Sequence, residues 1–164
     1  MAAGRTYTPI ANTILTSAST SITFSSISSS YTDLVLVISG NYTAGNPDAQ
    51  LRFNNDTATN YSQTVLEGTG SAAGSARATN NTLIYLDWVG ANTDTMNYVY
   101  SIMNYSNTTT YKSILGRFNK AGIAMDAIVG LWRSTSAINR IDISVSSGLF
   151  NSGTTFTLYG IAAA

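Results

Sequence analysis

The side chains that could do chemistry in this 164-residue chain are few and of limited kinds. There is no His and no Cys, so the commonest general base, the thiolate nucleophile and the usual transition-metal ligands are missing. The carboxylates are Asp33, Asp48, Asp56, Glu67, Asp87, Asp94, Asp126 and Asp142. A glycosidase needs two facing carboxylates, whereas almost all of these fall at predicted strand ends or in turns. The sequence therefore predicts a protein that is not an enzyme.

Patterns for nucleophilic catalysis, phosphate binding and metal binding are also missing. Ser is abundant, but there is no Gly-x-Ser-x-Gly motif and no His to activate a hydroxyl. The glycines of segment 68–76 fit neither of the phosphate-binding fingerprints. Segment 54–60 is rich in Asn and Asp but lacks the closing Glu of a calcium-binding EF-hand, so an Asx-rich turn is the better interpretation. We expect no metal and no cofactor.

Aromatic residues are the most suggestive class, with ten Tyr and two Trp. Rings flanked by Asn, Thr and Asp suit sugar or protein contacts, because the rings stack on apolar faces while the polar groups form hydrogen bonds. The alternative is that each Tyr caps a β core with its hydroxyl in water. The candidate recognition residues, in the loops 40–50 and 104–110 and just beside them, are Tyr42, Asn46, Asp48, Tyr105, Asn107 and Tyr111. Loop 68–79 would join them, while Trp88 and Trp132 lie in apolar strands and are predicted core residues.

The charge content limits the partners. Only 10% of the residues are charged, and eight basic and eight acidic side chains cancel. A nucleic-acid-binding protein normally carries a basic excess, so no nucleic-acid partner is expected. A neutral surface of Ser, Thr and Asn gives little protection against self-association, although a β protein with polar strands would look the same.

No stretch reaches the length of roughly 20 apolar residues that a membrane helix needs. The N-terminus lacks the apolar region of a secretory signal. We therefore expect a protein that is made in a cytoplasm, has no membrane partner, and reaches any outside surface by a route other than secretion.

The apolar segment 34–38 is the predicted centre of the fold, around which the other strands pack. Three of its five residues, Val35, Val37 and Ile38, are β-branched, and Asp33 and Gly40 bound it. A run of this kind predicts a central strand covered on both faces. Further strands are predicted over 6–16 (an edge or irregular strand because of Pro9), 21–24, 50–54, 61–67, 82–89, 96–103, 111–118, 123–133, 138–145 and 154–161, with a mobile loop at 68–79.

Strands at spacings of roughly ten residues, with turn signals between them, are typical of a β-sandwich or barrel. No segment keeps a helical period over three turns, and no fixed repeat is present. The sequence predicts one all-β domain over residues 1–164, a jelly-roll-like antiparallel β-sandwich of about 8–10 strands. An immunoglobulin-like sandwich is the second choice, without the cysteine pair of that fold.

Seven stretches resemble a family of small proteins and domains of tailed bacteriophages, above all phages of cyanobacteria and marine bacteria. They are YTPI at 7–10, SITFSSI at 21–27, YTDLVLV at 31–37, LRFNND at 51–56, NYS at 60–62, VGLWRS at 129–134 and FTLYGI at 156–161. The resemblance covers almost the whole chain and consists of recurring phrases, not of a catalytic motif. It implies a structural protein of the virion, a β-sandwich that works as a homotrimer, often encoded near tail-fibre genes.

Two roles follow from this resemblance. One is an adhesin module of a tail fibre or baseplate, which would bind a host surface glycan through the recognition loops. The other is a capsid decoration (cement) protein, which would bind the major capsid protein. We expect no long attachment region outside the predicted strands, which favours the decoration role. In the family that the chain resembles, the genes often lie near tail-fibre genes, which favours the tail role. The tail role is the one we predict.

Overall fold

The computed structural model describes residues 6–43, 45, 47–87 and 94–162. All regular structure in these residues is β-strand. The strands are β1 (Tyr7–Ile14), β2 (Ser21–Phe24), β3 (Asp33–Gly40), β4 (Ala49–Phe53), β5 (Tyr61–Gly68), β6 (Ala73–Asn81), β7 (Ile84–Tyr85), β8 (Met96–Met103), β9 (Lys112–Lys120), β10 (Ala124–Trp132), β11 (Ile141–Val145) and β12 (Thr155–Ile161).

The strands form two antiparallel sheets. One sheet has eight strands in the order β1-β12-β3-β8-β9-β10-β5-β6, and the other has four in the order β2-β11-β4-β7. Their inner faces pack on each other around a single core. The prediction of an all-β sandwich of jelly-roll type is confirmed, and no described residue belongs to a helix that could cross a membrane.

Alternation along the strands builds the core. In β10, Ile128 and Trp132 are buried, while Met125 and Val129, which point to the opposite face, are exposed. Because successive side chains of a strand point to opposite faces, the eight-stranded sheet has a fully packed inner face and an outer face. Trp132 is a core residue, as predicted; Trp88 lies outside the described residues.

Strand β3 lies between β12 and β8, within the eight-stranded sheet. On its inner face Leu34, Leu36 and Ile38 are fully buried. On its outer face Val35 is 8% exposed and Val37 is half-buried. The prediction of a core strand is therefore confirmed, but its second face is covered by neighbouring side chains of the same sheet and not by another layer.

Two predicted segments are wrong. Segment 68–79 is not a mobile loop, because β6 pairs with β5 through its whole length and forms a hairpin with it. Its sequence, AGSARATNN, shows no apolar alternation because β6 is an exposed edge strand that packs on nothing. Segment 82–89 is not a full strand: only Ile84–Tyr85 pairs, with β4, and Val89 lies outside the described residues.

Strand β1 is an edge strand with an irregularity, as Pro9 predicts. It pairs only with β12, and the register shifts between Pro9 and Ala11. Pro has no N–H to donate, and bulges are a common way to blunt a free edge. The edges of the two sheets, β1 and β2, lie on either side of a cleft that is described below.

Candidate functional site

Two of the predicted recognition residues are core residues. Tyr42 and Tyr105 are both 0% exposed. The ring of Tyr42 packs against that of Phe150, with centroids 5.4 Å apart. A side chain without solvent exposure cannot meet a ligand at the surface, so the prediction is wrong for these two. Turn-rich surroundings suggested exposure, but both loops fold back over the core.

The Tyr105 hydroxyl has a structural task. It donates a hydrogen bond to the carbonyl of Ser28 and accepts one from the backbone N–H of Tyr31 at 3.3 Å. Tyr105 thereby ties segment 28–31 to the end of β8. Burial is the main cause of the raised pKa of this tyrosine.

The other predicted recognition residues share no site. Asp48 is half-buried, and its backbone N–H donates to the Ser146 hydroxyl at 2.9 Å. The Asn107 side-chain oxygen accepts the backbone N–H groups of Thr109 and Thr110 at 2.7 and 2.8 Å, which closes an Asx turn. Tyr111 is 56% exposed, and Asn46 lies outside the described residues.

The predicted recognition loops lie at opposite ends of the sandwich. In the β3–β8 pair, Gly40 is opposite Met96 and Leu34 is opposite Ile102. The loop after β3 and the loop after β8 are therefore separated by the length of a strand, roughly 23 Å for seven residue steps. The prediction of one recognition surface from loops 40–50 and 104–110 is thus wrong.

A buried network of hydroxyls surrounds the carboxylate of Asp87. The Tyr98 hydroxyl donates to it at 2.5 Å and lies 2.6 Å from the Tyr42 hydroxyl, and the backbone N–H of Ala49 donates to it at 3.1 Å. The side chains of Asp87, Tyr98 and Tyr42 are fully buried. Sequence analysis missed this network, because Asp87 looks like one more strand-end carboxylate. Because these groups are fully buried and hydrogen-bonded to one another, the network contributes to the packing of the core.

This network should make stability depend on pH. Burial raises the pKa of Asp87 well above its ordinary value of 3.8. The folded chain then holds this proton more tightly than the unfolded chain, so the stabilisation is complete below about pH 4 and is lost as the pH rises towards the folded pKa. We expect the free energy of unfolding, from urea titrations, to fall as the pH rises above about 4.

The matched variant is Asp87→Asn, which keeps the shape and removes the titration. For this variant, the free energy of unfolding should fall clearly less steeply as the pH rises. The remaining slope comes from Asp48, because burial also raises the pKa of that residue. Below about pH 4 both proteins should lose stability, because hydrogen bonds lower the pKa of Asp56 despite the opposing effect of burial. Equal slopes in the two proteins would contradict the assignment.

The Asx-rich turn is confirmed at Asp56. Its carboxylate accepts the backbone N–H of Ala58 at 2.8 Å, the amide of Asn60 at 2.9 Å and the indole N–H of Trp132 at 2.7 Å. These donors occupy the oxygens that a calcium ion would need. Among the described residues no three His, Cys, Asp or Glu side chains are grouped to hold a metal.

A cleft of about 520 Å³ opens between the free edges of the two sheets. We name it the edge cleft. Its lining includes Pro9, Ile10, Thr23, Ser25, Ser26 and Tyr31. None of the described residues that line it carries a formal charge. The cleft therefore offers the aromatic ring of Tyr31, a second ring from the mostly buried Phe24, aliphatic surface and several hydroxyls in an uncharged setting.

The outer face of the eight-stranded sheet is apolar over neighbouring strands. Leu66, Leu115, Met125 and Val129 are 62%, 51%, 53% and 46% exposed. Register joins them across β9, β10 and β5: Val129 is opposite Leu115, and Ala127 is opposite Leu66. We name this surface the apolar face. Large apolar side chains that adjoin one another on a surface are typical of an interaction site, whereas scattered ones are not.

The outer face of the four-stranded sheet is different, because it is polar. Arg140 and Asp142 form a salt bridge at 2.7 Å, and the Thr23 hydroxyl donates to Asp142 at 2.7 Å. The Arg52 side chain donates to the Thr82 carbonyl at 3.0 Å. The four-stranded sheet thus faces water with hydrogen-bonded polar groups, whereas the eight-stranded sheet exposes large apolar side chains on β5, β9 and β10.

The fold places the chain in the class of antiparallel β-sandwich proteins. No family model and no curated protein matches the chain. Among solved structures it is similar to the exo-inulinase of Aspergillus awamori, with 14% identity and a TM-score of 0.45, over 94% of this chain and 29% of that one. The chain thus spans less than a third of the length of that enzyme.

Two further solved structures are similar at a lower level. The galectin LEC-6 of Caenorhabditis elegans has 11% identity and a TM-score of 0.38, over 93% of this chain and 96% of that one. Scytalido-glutamic peptidase has 11% identity and a TM-score of 0.32, over 90% of this chain and 66% of that one. At these identities and TM-scores none of the three bears on what this chain does.

Proposed function

We propose that this chain is a non-enzymatic structural protein on the surface of a tailed-phage virion, and that it works as a homotrimer. The observation that supports the proposal best is the apolar face. Burying such a surface against another copy is favourable by about 25 cal/mol for each Å² of apolar area. The phage context comes from the resemblance of the seven sequence stretches described above.

The outer face of the whole eight-stranded sheet, of which the apolar face is the part on β9, β10 and β5, is large enough to hold an interface. Eight strands about 4.8 Å apart and about seven residues long make a face of roughly 34 by 23 Å, or about 800 Å². One partner contributes an area of this size to a standard stable interface. With no net charge on the chain, copies do not repel one another at long range.

The position of Arg117 favours three-fold over two-fold symmetry. Arg117 is exposed on β9, next to the middle of the eight-stranded order. A two-fold contact centred on the face would place the Arg117 side chains of two copies together, which is unfavourable. A three-fold arrangement would join different parts of the face in successive copies, so the arginines would be offset.

The experiment that tests the proposal is sedimentation velocity at micromolar concentration. We expect wild type to sediment as a trimer and Val129→Glu as a folded monomer, because burying the added charge against another copy carries a large desolvation cost. The matched control is Ser21→Glu, which adds the same charge on the other sheet and should remain a trimer. A monomeric wild type, or a trimeric Val129→Glu, would overturn the proposal.

Within this function we favour a tail fibre or baseplate adhesin module, and the edge cleft supports it because an adhesin needs a ligand site. The other candidate is a capsid decoration protein, for which the apolar face would also bind the capsid. Antibody labelling of particles separates the two. Label at the tail supports the adhesin, whereas several hundred copies on the head would establish decoration.

A further inference from the structure

We propose that the edge cleft binds a neutral saccharide, with Tyr31 as the stacking platform. The inference rests on the adhesin form of the proposed function, which it deepens by giving the location of the site and the chemical class of the ligand. The inference depends on the shape and lining of the edge cleft and on the fixed position of the Tyr31 ring. None of the residues predicted from sequence as a recognition surface lines this cleft.

The composition of the lining selects the ligand. A cleft of about 520 Å³ is within the usual range for small-ligand sites. Pro9, Ile10 and Tyr31 provide apolar surface, while Ser25 and Ser26 provide hydroxyls that both donate and accept. An ionic ligand would find no counter-charge among the described lining residues. A sugar ring, with apolar C–H faces and a rim of hydroxyls, matches both kinds of surface.

The ring of Tyr31 is held in place by the backbone beneath it. A Cβ atom at Gly160 would lie 2.4 Å from Cγ and 2.5 Å from Cδ1 of that ring, so the ring packs directly on the glycine. The Tyr105 hydroxyl also receives the backbone N–H of Tyr31. A platform fixed before binding loses little entropy when a ligand arrives.

The segment that carries the hydroxyls is also held in one conformation. Ser26 has a φ of 56°, in the left-handed region that non-glycine residues seldom occupy. The backbone N–H of Ile27 donates to the Asn139 carbonyl at 3.0 Å, which anchors the segment to the four-stranded sheet side of the cleft. Residues held in such backbone conformations are concentrated at ligand sites.

The main competing occupant is an extended strand of a partner protein, which would pair with a free sheet edge. Strand β1 is poorly suited to this, because Pro9 has no N–H and the register shifts between Pro9 and Ala11. Strand β2, Ser21–Phe24, has only four residues. Short strands, prolines and bulges are the devices that prevent edge pairing, so the observations favour a sugar.

The test is a titration of the trimeric protein with neutral oligosaccharides (maltoheptaose and cellohexaose), with the acidic oligogalacturonate as a charge control. Binding is followed by ¹⁵N amide shifts. We expect a neutral oligosaccharide to bind at millimolar or lower concentration and to shift the amide signals of residues 10–11 and 23–31. Oligogalacturonate should bind more weakly, and no reducing sugar should be released.

The variants make the test specific. Tyr31→Ala should weaken binding by about tenfold or more, since it removes the stacking surface. Tyr31→Phe should bind like wild type, and Tyr111→Ala, which removes an exposed ring outside the cleft, should have no effect. Binding unchanged in Tyr31→Ala, shifts confined to other residues, no neutral sugar bound, or binding of a strand-forming peptide instead would each overturn the inference. None of these results alters the sedimentation test, so a failure here is distinguishable from a failure of the proposed function.

Discussion

Replacing Gly116 with alanine is expected to lower the free energy of unfolding by at least about 3 kcal/mol. The Cβ of the new side chain would lie 2.3 Å from the carbonyl oxygen of Val99 and 2.4 Å from Cδ1 of Tyr100. The first of these atoms is backbone of the neighbouring strand, and the second belongs to a fully buried ring. Neither can move without disturbing the β8–β9 pair or the core, so the cost arises from overpacking.

Gly68→Ala is the matched control for this substitution. No heavy atom lies within 4 Å of a Cβ at Gly68, so the same added methyl should change stability by no more than about 0.5 kcal/mol. Urea unfolding of the three proteins, followed by tryptophan fluorescence, gives both values. A Gly116→Ala protein as stable as Gly68→Ala would mean that β8 and β9 do not approach as described.

Leu36→Ala is expected to destabilise the folded chain by about 2–5 kcal/mol. Leu36 lies in the middle of β3, opposite Leu158 and Tyr100, and is 0% exposed. Removing its side chain leaves a cavity between the sheets that these neighbours can fill only in part. The measurement is again the free energy of unfolding from urea titration.

Leu66→Ala removes the same atoms from a side chain that is 62% exposed. On a dilute, monomeric protein its effect on unfolding should be within about 0.5 kcal/mol. Because Leu66 belongs to the apolar face, the substitution should instead weaken the proposed trimer, so that dissociation occurs at a higher protein concentration. If Leu66→Ala destabilised the monomer as much as Leu36→Ala, the outer face would not be an open surface.

The strands that carry a clear pattern of apolar, β-branched or proline residues could be predicted from the sequence. Strand β3 was found from its β-branched run, and the edge character of β1 was found from Pro9 alone. Strand β6 could not be found, because an exposed edge strand is held by its backbone hydrogen bonds to β5 and needs no apolar side chains. Its Ala, Ser and Gly residues therefore looked like a loop.

The candidate site was much less predictable. Tyr42 and Tyr105 lie among turn residues, which suggested exposure, yet both rings are in the core. The Tyr42 hydroxyl bonds to that of buried Tyr98, and the Tyr105 hydroxyl bonds to the Ser28 carbonyl. The edge cleft brings together β1 and the segment after β2, whose neighbours are decided by strand order. Strand order depends on long-range pairing such as that of β1 with β12, which no local pattern specifies.

The apolar face also depends on strand order. Leu66 and Val129 are ordinary alternating residues in the sequence, and either could face water singly without consequence. They become one surface only because β10 lies between β9 and β5. Beside the resemblance to phage proteins, the neutral charge of the chain was the sequence feature that suggested self-association.

Thiol labelling tests most directly whether the apolar face is the surface buried in the assembly. The chain has no cysteine, so Leu115→Cys and Ser21→Cys each introduce a single thiol on an exposed position of one sheet. At micromolar concentration we expect the thiol at position 115 to react with a maleimide far more slowly than the thiol at position 21, and the two rates to become equal in the Val129→Glu background. Equal rates in the otherwise wild-type protein would contradict the account.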